Sequence, residues 1–248
     1  MMRTTRMAAA AMLVAVTWAG GARAAGAQAP AFWTDWLTAA ASGGSAGTAS
    51  GTIMVGGTPV TIGYAGEFDF AQTSGGTNYW QPRSTFLGTT LTDAAPITAD
   101  LIAISGGTGL TNTFTFSTPI VNPFISIVSL GQPSTPVSYT FSSPFTIVSG
   151  GPTTIFGGGP LTQPAANTVL GTEGNGTIMF EGTFSTLSFT TTGGEFWNGF
   201  TIGVQGTGDG TEPPPPAVVP EPSTVSLVAL GLIGLAAAAT RTRRRRAA

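Results

Sequence analysis

The chain contains no cysteine and no histidine, and all nine of its basic residues are arginine, so it has no lysine either. Each absence removes a class of chemistry. Without Cys and His there is no thiol nucleophile, no imidazole base and no ordinary zinc or copper site. Without Lys there is no Schiff base and no phosphate-loop lysine. The lack of cysteine also excludes disulfides, so the fold needs a hydrophobic core to hold it. Charge of either sign is scarce. Only 8% of residues are charged, against roughly a quarter in average domains.

The few charges are unevenly placed. Arg3, Arg6 and Arg23 sit near the start and Arg241, Arg243, Arg244, Arg245 and Arg246 near the finish. Between them only Arg83 is basic, while every acidic residue lies there. An acidic middle without clustered cations does not suit phosphate, so nucleic acid is excluded as a partner. The 36 Gly and 18 Pro provide many turns. The 15 Phe, 5 Trp and 3 Tyr, with abundant Ile and Val, provide a core that a disordered tract would lack.

The first residues read as an export signal. MMRTTR is a basic opening, Met7 to Ala19 is apolar, and Ala22-Arg23-Ala24 and Ala25-Gly26-Ala27 both fit small-x-small cleavage sites. A signal helix over residues 1–27 is therefore expected. The middle, residues 28–205, reads as short β-rich runs between turn residues. GTIMV (51–55) and PVTIGY (59–64) flank Gly56-Gly57-Thr58, a hairpin signal, and EFDF (67–70) alternates. DLIAIS, TFTFS, PFISIVSL, PVSYTF, PFTIVS, GTIMFEG, FSTLSFT and GFTIGV continue the pattern from residue 100 to residue 204. Thr, Val, Ile and Phe dominate these runs and no 3.6-residue periodicity appears. The expected fold is all-β: an antiparallel, jelly-roll-like sandwich of two sheets.

Residues 206–218 form a Gly/Pro-rich linker in which four consecutive prolines favour an extended spacer. Beyond it, Pro220-Glu221-Pro222 precedes an apolar stretch from Val225 to Ala239 and the final arginine cluster. Fifteen residues are short for a bilayer core of about 30 Å, which asks for about 20. The arginines would act as a stop-transfer signal on the cytoplasmic side. Hydrophobicity and charge alone thus fit a marginal transmembrane helix. In this order, motif, helix and basic end over residues 219–246 resemble the PEP-CTERM sorting signal of exported bacterial proteins. That resemblance implies recognition of Pro220, Glu221 and Pro222 by exosortase, processing of the tail, and a transient stay in the inner membrane. "FWTDWLTA", "FAQTSGGTNYW" and "FWNGFTIGV" also resemble all-β domains of exosortase-dependent surface proteins. This implies a location at the cell surface or in an exopolysaccharide matrix, with the export machinery, exosortase and exopolysaccharide as partners. It implies no catalytic residue.

With other chemistries excluded, paired carboxylates are the only catalytic option. Glu67 and Asp69 lie two apart on an expected strand and so share a face, while Glu173, Glu181 and Glu195 fall near turns. Trp33, Trp36, Tyr79, Trp80, Phe196 and Trp197 could form a sugar-stacking platform, of which Tyr79, Trp80 and Trp197 are the chief candidates. Oxygen ligands from the acidic loops leave a calcium site open, although no D-x-D-x-D-G pattern is present; no metal ligand is assigned and no cofactor is expected. The expectation is a non-enzymatic exported protein. The alternatives are a carbohydrate-binding module using the aromatics and, behind it, a glycan-active enzyme using two carboxylates.

Overall fold

A computed structural model describes residues 31–88, 91 and 100–208. The expected signal helix, the linker beyond Gly208 and the sorting tail with its Pro-Glu-Pro motif, apolar stretch and arginines lie outside the described residues. What is described is mostly strand, with a single turn of helix. The order is β1 (Phe32–Gly43), β2 (Ala46–Val55), β3 (Thr58–Glu67), β4 (Phe70–Gln72), the one-turn helix α1 (Arg83–Phe86), β5 (Leu101–Gly106) and β6 (Thr111–Val121). There follow β7 (Phe124–Leu130), β8 (Val137–Phe141), β9 (Thr146–Gly150), β10 (Gly159–Pro160), β11 (Thr162–Ala165) and β12 (Thr168–Gly171). The last four are β13 (Gly174–Met179), β14 (Thr183–Thr192), β15 (Gly194–Val204) and β16 (Gly206–Thr207).

Local chemistry accounts for much of this. Gly56 and Gly57 both take positive φ, the geometry of the tight hairpin turn, and Val55 pairs with Thr58 across it. In β6, Asn112, Phe114 and Phe116 are buried while Thr111, Thr115 and Ser117 face solvent, the two-residue period of a half-buried strand. One run expected as a strand is different. EFDF is split: Glu67 ends β3 and Phe70 begins β4, so Asp69 falls in the break and is exposed, while Glu67 is buried. The two acids therefore do not share a face.

The all-β expectation holds, but the strands do not separate into two independent sheets. One path runs β10-β13-β7-β15-β1-β2-β3-β6-β14-β8-β12-β11 and nearly closes into a barrel. Its pairs are antiparallel except β10 with β13. The corner is made by β1. Phe32 and Trp33 pair with Val204 and Gly203 of β15, and from Thr34 onward the strand pairs with β2 instead. Because β1 has 12 residues and β2 and β3 have 10 each, the accumulated twist carries the sheet round on itself. Leu161, between the consecutive end strands β10 and β11, is buried in the core near the seam. Alternation alone cannot separate a sandwich from a nearly closed barrel, since the same residues face inward in both.

The interior is shared by all sides of the sheet and is rich in rings. Phe200 lies at its centre, with ring centroids 5.4 Å from Tyr64 and 5.7 Å from both Phe114 and Phe189. The opposite face of β7 is covered as well. Trp80 and Phe86, 5.1 Å apart, pack with Leu101, Ala103 and Val128 over it. All seven residues of β7 are accordingly buried, which explains why PFISIVSL reads as a near-continuous apolar run.

The registers define two poles. At one, Phe32 of β1 lies beside Val204, and β16 pairs with Ile120 and Val121. The described chain thus enters and leaves at the same pole, and the fold continues through β16 rather than stopping at residue 205. At the other pole, Gly194 pairs with Gly106 and Thr192 with Ser138. The 11 residues of β15 separate the poles by about 33 Å, at ~3.3 Å per residue.

Candidate functional site

The pole away from the chain ends carries a cleft of about 350 Å³, lined by Ser129, Gln132, Phe156, Glu173, Glu195, Phe196 and Trp197, with Pro133 at its margin. Four segments build it. The first is the end of β7, where Ser129 takes φ 60°, a left-handed conformation unusual for a non-glycine residue. The bulge there turns Leu130 back into the core after Ile127, so that Ser129 is diverted towards the cleft. The second is the turn between β12 and β13, where Glu173 has φ 69°. The third is the start of β15, which carries Glu195, Phe196 and Trp197, and the fourth supplies Phe156.

Hydrogen bonds tie these segments together. Gly131 is the hub: its N–H donates to Glu195 Oε1 at 2.6 Å, and its carbonyl accepts from the Glu173 N–H at 3.0 Å. Gly131 has φ 71°, and a Cβ there would lie 2.3 Å from the Gly171 carbonyl oxygen, so only glycine fits. Ser129 Oγ donates to Glu173 Oε1 at 2.5 Å, and the Ser129 N–H donates to Asn175 Oδ1 at 2.8 Å. Asn198 Nδ2 donates to Glu195 Oε1 at 2.9 Å, while Asn198 Oδ1 accepts from the Tyr139 hydroxyl below. The two carboxyls are thus anchored from beneath by a buried polar network.

Electrostatics set the carboxyls apart. Burial raises the Glu195 carboxyl from 4.5 to about 7, helped by the charge of Glu173 and opposed by the hydrogen bonds from Gly131 and Asn198. Burial and the charge of Asp35 raise Asp100 from 3.8 to about 6, against a backbone hydrogen bond from Trp36. Both folded values exceed the unfolded ones. These two groups therefore hold more protons in the folded than in the unfolded state between about pH 4 and pH 7, and their contribution to stability falls as pH rises through that window. The groups facing Glu195 are Glu173 and the Tyr139 hydroxyl. Glu195→Gln is expected to flatten the dependence between about pH 5 and pH 7. Urea midpoints of the variant and the parent should then converge at low pH and separate near pH 7, with the variant higher.

The aromatic candidates divide. Trp80 is fully buried against Phe86, so it cannot stack on a ligand, and this expectation is corrected. Trp36 is likewise core, and Trp33 packs at the pole of the chain ends. Tyr79 and Trp197 do meet, with centroids 5.4 Å apart, and Phe156 lies 5.4 Å from Trp197 and stacks near Tyr79. Phe196 is 85% exposed. Of the acids, Glu173 and Glu195 come together, whereas Glu181 borders a separate hollow beside Phe145 and Met179. Glu67 is buried inside the barrel, where it accepts from Thr191 Oγ1 at 2.6 Å, and it is not among the residues that line this cleft. Ser129, Gln132 and Phe156 were not recognised in the sequence. The glycines flanking them, Gly131 and Gly157, are the only local hint that the chain turns sharply there.

Among the described residues, no three Asp or Glu side chains gather as a metal site, and no helix is long and apolar enough to cross a membrane. Two carboxyls, one raised towards neutrality, beside flat rings can accept hydrogen bonds from hydroxyls while apolar faces pack alongside. Outside the described fold, residues 218–246 match the family described as the PEP-CTERM protein-sorting motif. Neither a curated protein nor a solved structure shows significant similarity to the chain.

Proposed function

Starting from a chain that carries the PEP-CTERM sorting signal, and so is an exported protein routed through the membrane with exosortase as its sorting partner, we propose that it is displayed at the cell surface or held in the exopolysaccharide matrix. It acts there by binding, not by catalysis. The observation that carries this reading is the motif match itself, which includes Pro220-Glu221-Pro222, the apolar stretch and the arginines. The acidic, lysine-free domain and the proline-rich spacer support it, since a spacer of about 3.1 Å per residue sets a folded domain apart from its tail. So does the common pole of the two described chain ends, which leaves the opposite pole free to meet the surroundings.

The test is an exosortase deletion in the native host. The wild-type protein is expected to lose its tail and to appear in the surface or matrix fraction, as read by intact mass and fractionation. The deletion strain is expected to retain the full tail mass in the inner membrane. An unchanged mass and location in the deletion strain would refute the sorting step. A processed protein found only in the periplasm would refute the surface assignment.

A further inference from the structure

We infer that the cleft formed by Glu173, Glu195, Gln132, Phe156, Phe196 and Trp197 binds a neutral polysaccharide segment, one or two sugar rings at a time. This deepens the binding role proposed above and rests on it. Four observations converge. The cleft, about 350 Å³, lies at the small end of the ~300–1,000 Å³ that small-molecule sites occupy. It combines flat apolar rings with hydrogen-bonding groups, and a sugar ring likewise has an apolar C–H face and a hydroxyl edge. The ring of Trp197 is braced edge-on by Phe70, Tyr79 and Phe156 at 5.1–5.4 Å, so it is presented as a fixed surface. Phe196, beside it, is 85% exposed, an apolar commitment that the core does not need.

The polar side of the cleft is equally selective. Protein donors engage Oε1 of both Glu173 and Glu195, and among the described residues no hydrogen bond occupies the second oxygen of either. Those oxygens accept from hydroxyls, and the Gln132 amide both donates and accepts. Once Glu195 ionises, above about pH 7, the paired carboxyls repel uronate or phosphate groups. Arg83, the only basic side chain among the described residues, belongs to α1 and does not line the cleft. A neutral chain is therefore favoured over an acidic one. The cleft also opens at the pole opposite the ends of the described chain.

The test uses the full chain, purified in a detergent without a sugar headgroup. It is titrated with cellotetraose, maltotetraose and mannotetraose, and with a galacturonate tetramer as the acidic counterpart. Binding is read by calorimetry and tryptophan fluorescence. At least one neutral tetrasaccharide should bind saturably, at least about tenfold more tightly than the galacturonate. Trp197→Ala and Phe196→Ala should each weaken it about tenfold. Because Phe196 is exposed, its variant should fold whatever happens at Trp197, with circular dichroism as the check. Failure of all three neutral sugars to bind, or unchanged affinity in Phe196→Ala, would overturn the inference. Both results are independent of sorting, which the deletion strain reports. Release of new reducing ends would uphold the site but overturn the non-catalytic role.

Discussion

Replacing Pro220, Glu221 and Pro222 together by alanine is expected to abolish surface delivery. The change leaves Val225 to Ala239 and all five arginines in place, so hydrophobicity and the positive-inside orientation survive. A tail that works only as an anchor depends on those two properties and would not notice the substitution. A tail read by exosortase depends on the motif, which lies within the matched residues 218–246. The variant should therefore accumulate in the inner membrane at the full tail mass, with the surface fraction reduced to background. Immunoblotting of fractions and intact mass give the readout. Equal mass and equal distribution for variant and parent would show that the motif is inert and the tail a simple anchor.

Phe200→Ala is expected to be the most damaging single core substitution. Phe200 is fully buried, and its ring contacts Tyr64, Phe114, Phe189 and, at 6.5 Å, Tyr139. Its backbone is fixed on both sides, paired with Ile102 of β5 and Ile127 of β7. The surrounding strands cannot close on the vacated space, so both the transfer and the cavity terms apply. The cost should fall in the range of ~3–5 kcal/mol measured for buried Phe truncations. A typical domain holds only about 5–15 kcal/mol in all. Without a disulfide as reserve, the variant should show a marked drop in urea midpoint and melting temperature. Phe196→Ala, four residues away but exposed, should stay within about 0.5 kcal/mol of the parent. Similar losses in the two variants would mean that the ring cluster around Phe200 is not the core it describes.

The strands that were legible are those whose residues carry their own signal. TFTFS, PVSYTF and FSTLSFT alternate because one face is buried, and β6, β8 and β14 follow them. By contrast β1 was not recognised. AFWTDWLTAAASG is rich in Ala, which has weak strand preference, and it is held instead by its register with β2 from Thr34↔Ile53 to Gly43↔Ala46. Strands β10 to β12 were missed for a related reason. They are two to four residues long, too short for an alternation to show; β10 and β12 pair with β13 and β8, and β11 only with the adjacent β12. The cleft was harder still. Ser129, Glu173 and Glu195 are 44 and 22 residues apart, and two of them adopt left-handed backbone that their identity does not predict.

The sequence by itself determined the sorting motif, the all-β class and the exclusion of thiol, imidazole and amine chemistry. These depend on which residues are present and on their order over a few positions, and no folding is needed to read them. The tertiary structure alone decided that the sheet nearly closes, that Trp80 belongs to the core while Phe196 stays exposed, and that Glu173 meets Glu195 while Glu67 and Asp69 part. Those outcomes depend on strand register. A shift of one residue exchanges the inner and outer faces of a strand, and pairings such as Thr192↔Ser138 and Phe32↔Val204 join residues that no local pattern connects. Trp36 joins the barrel interior while Trp33, three residues earlier on β1, packs with the cluster around Trp80, because burial is fixed by what the rest of the chain lays over each side chain.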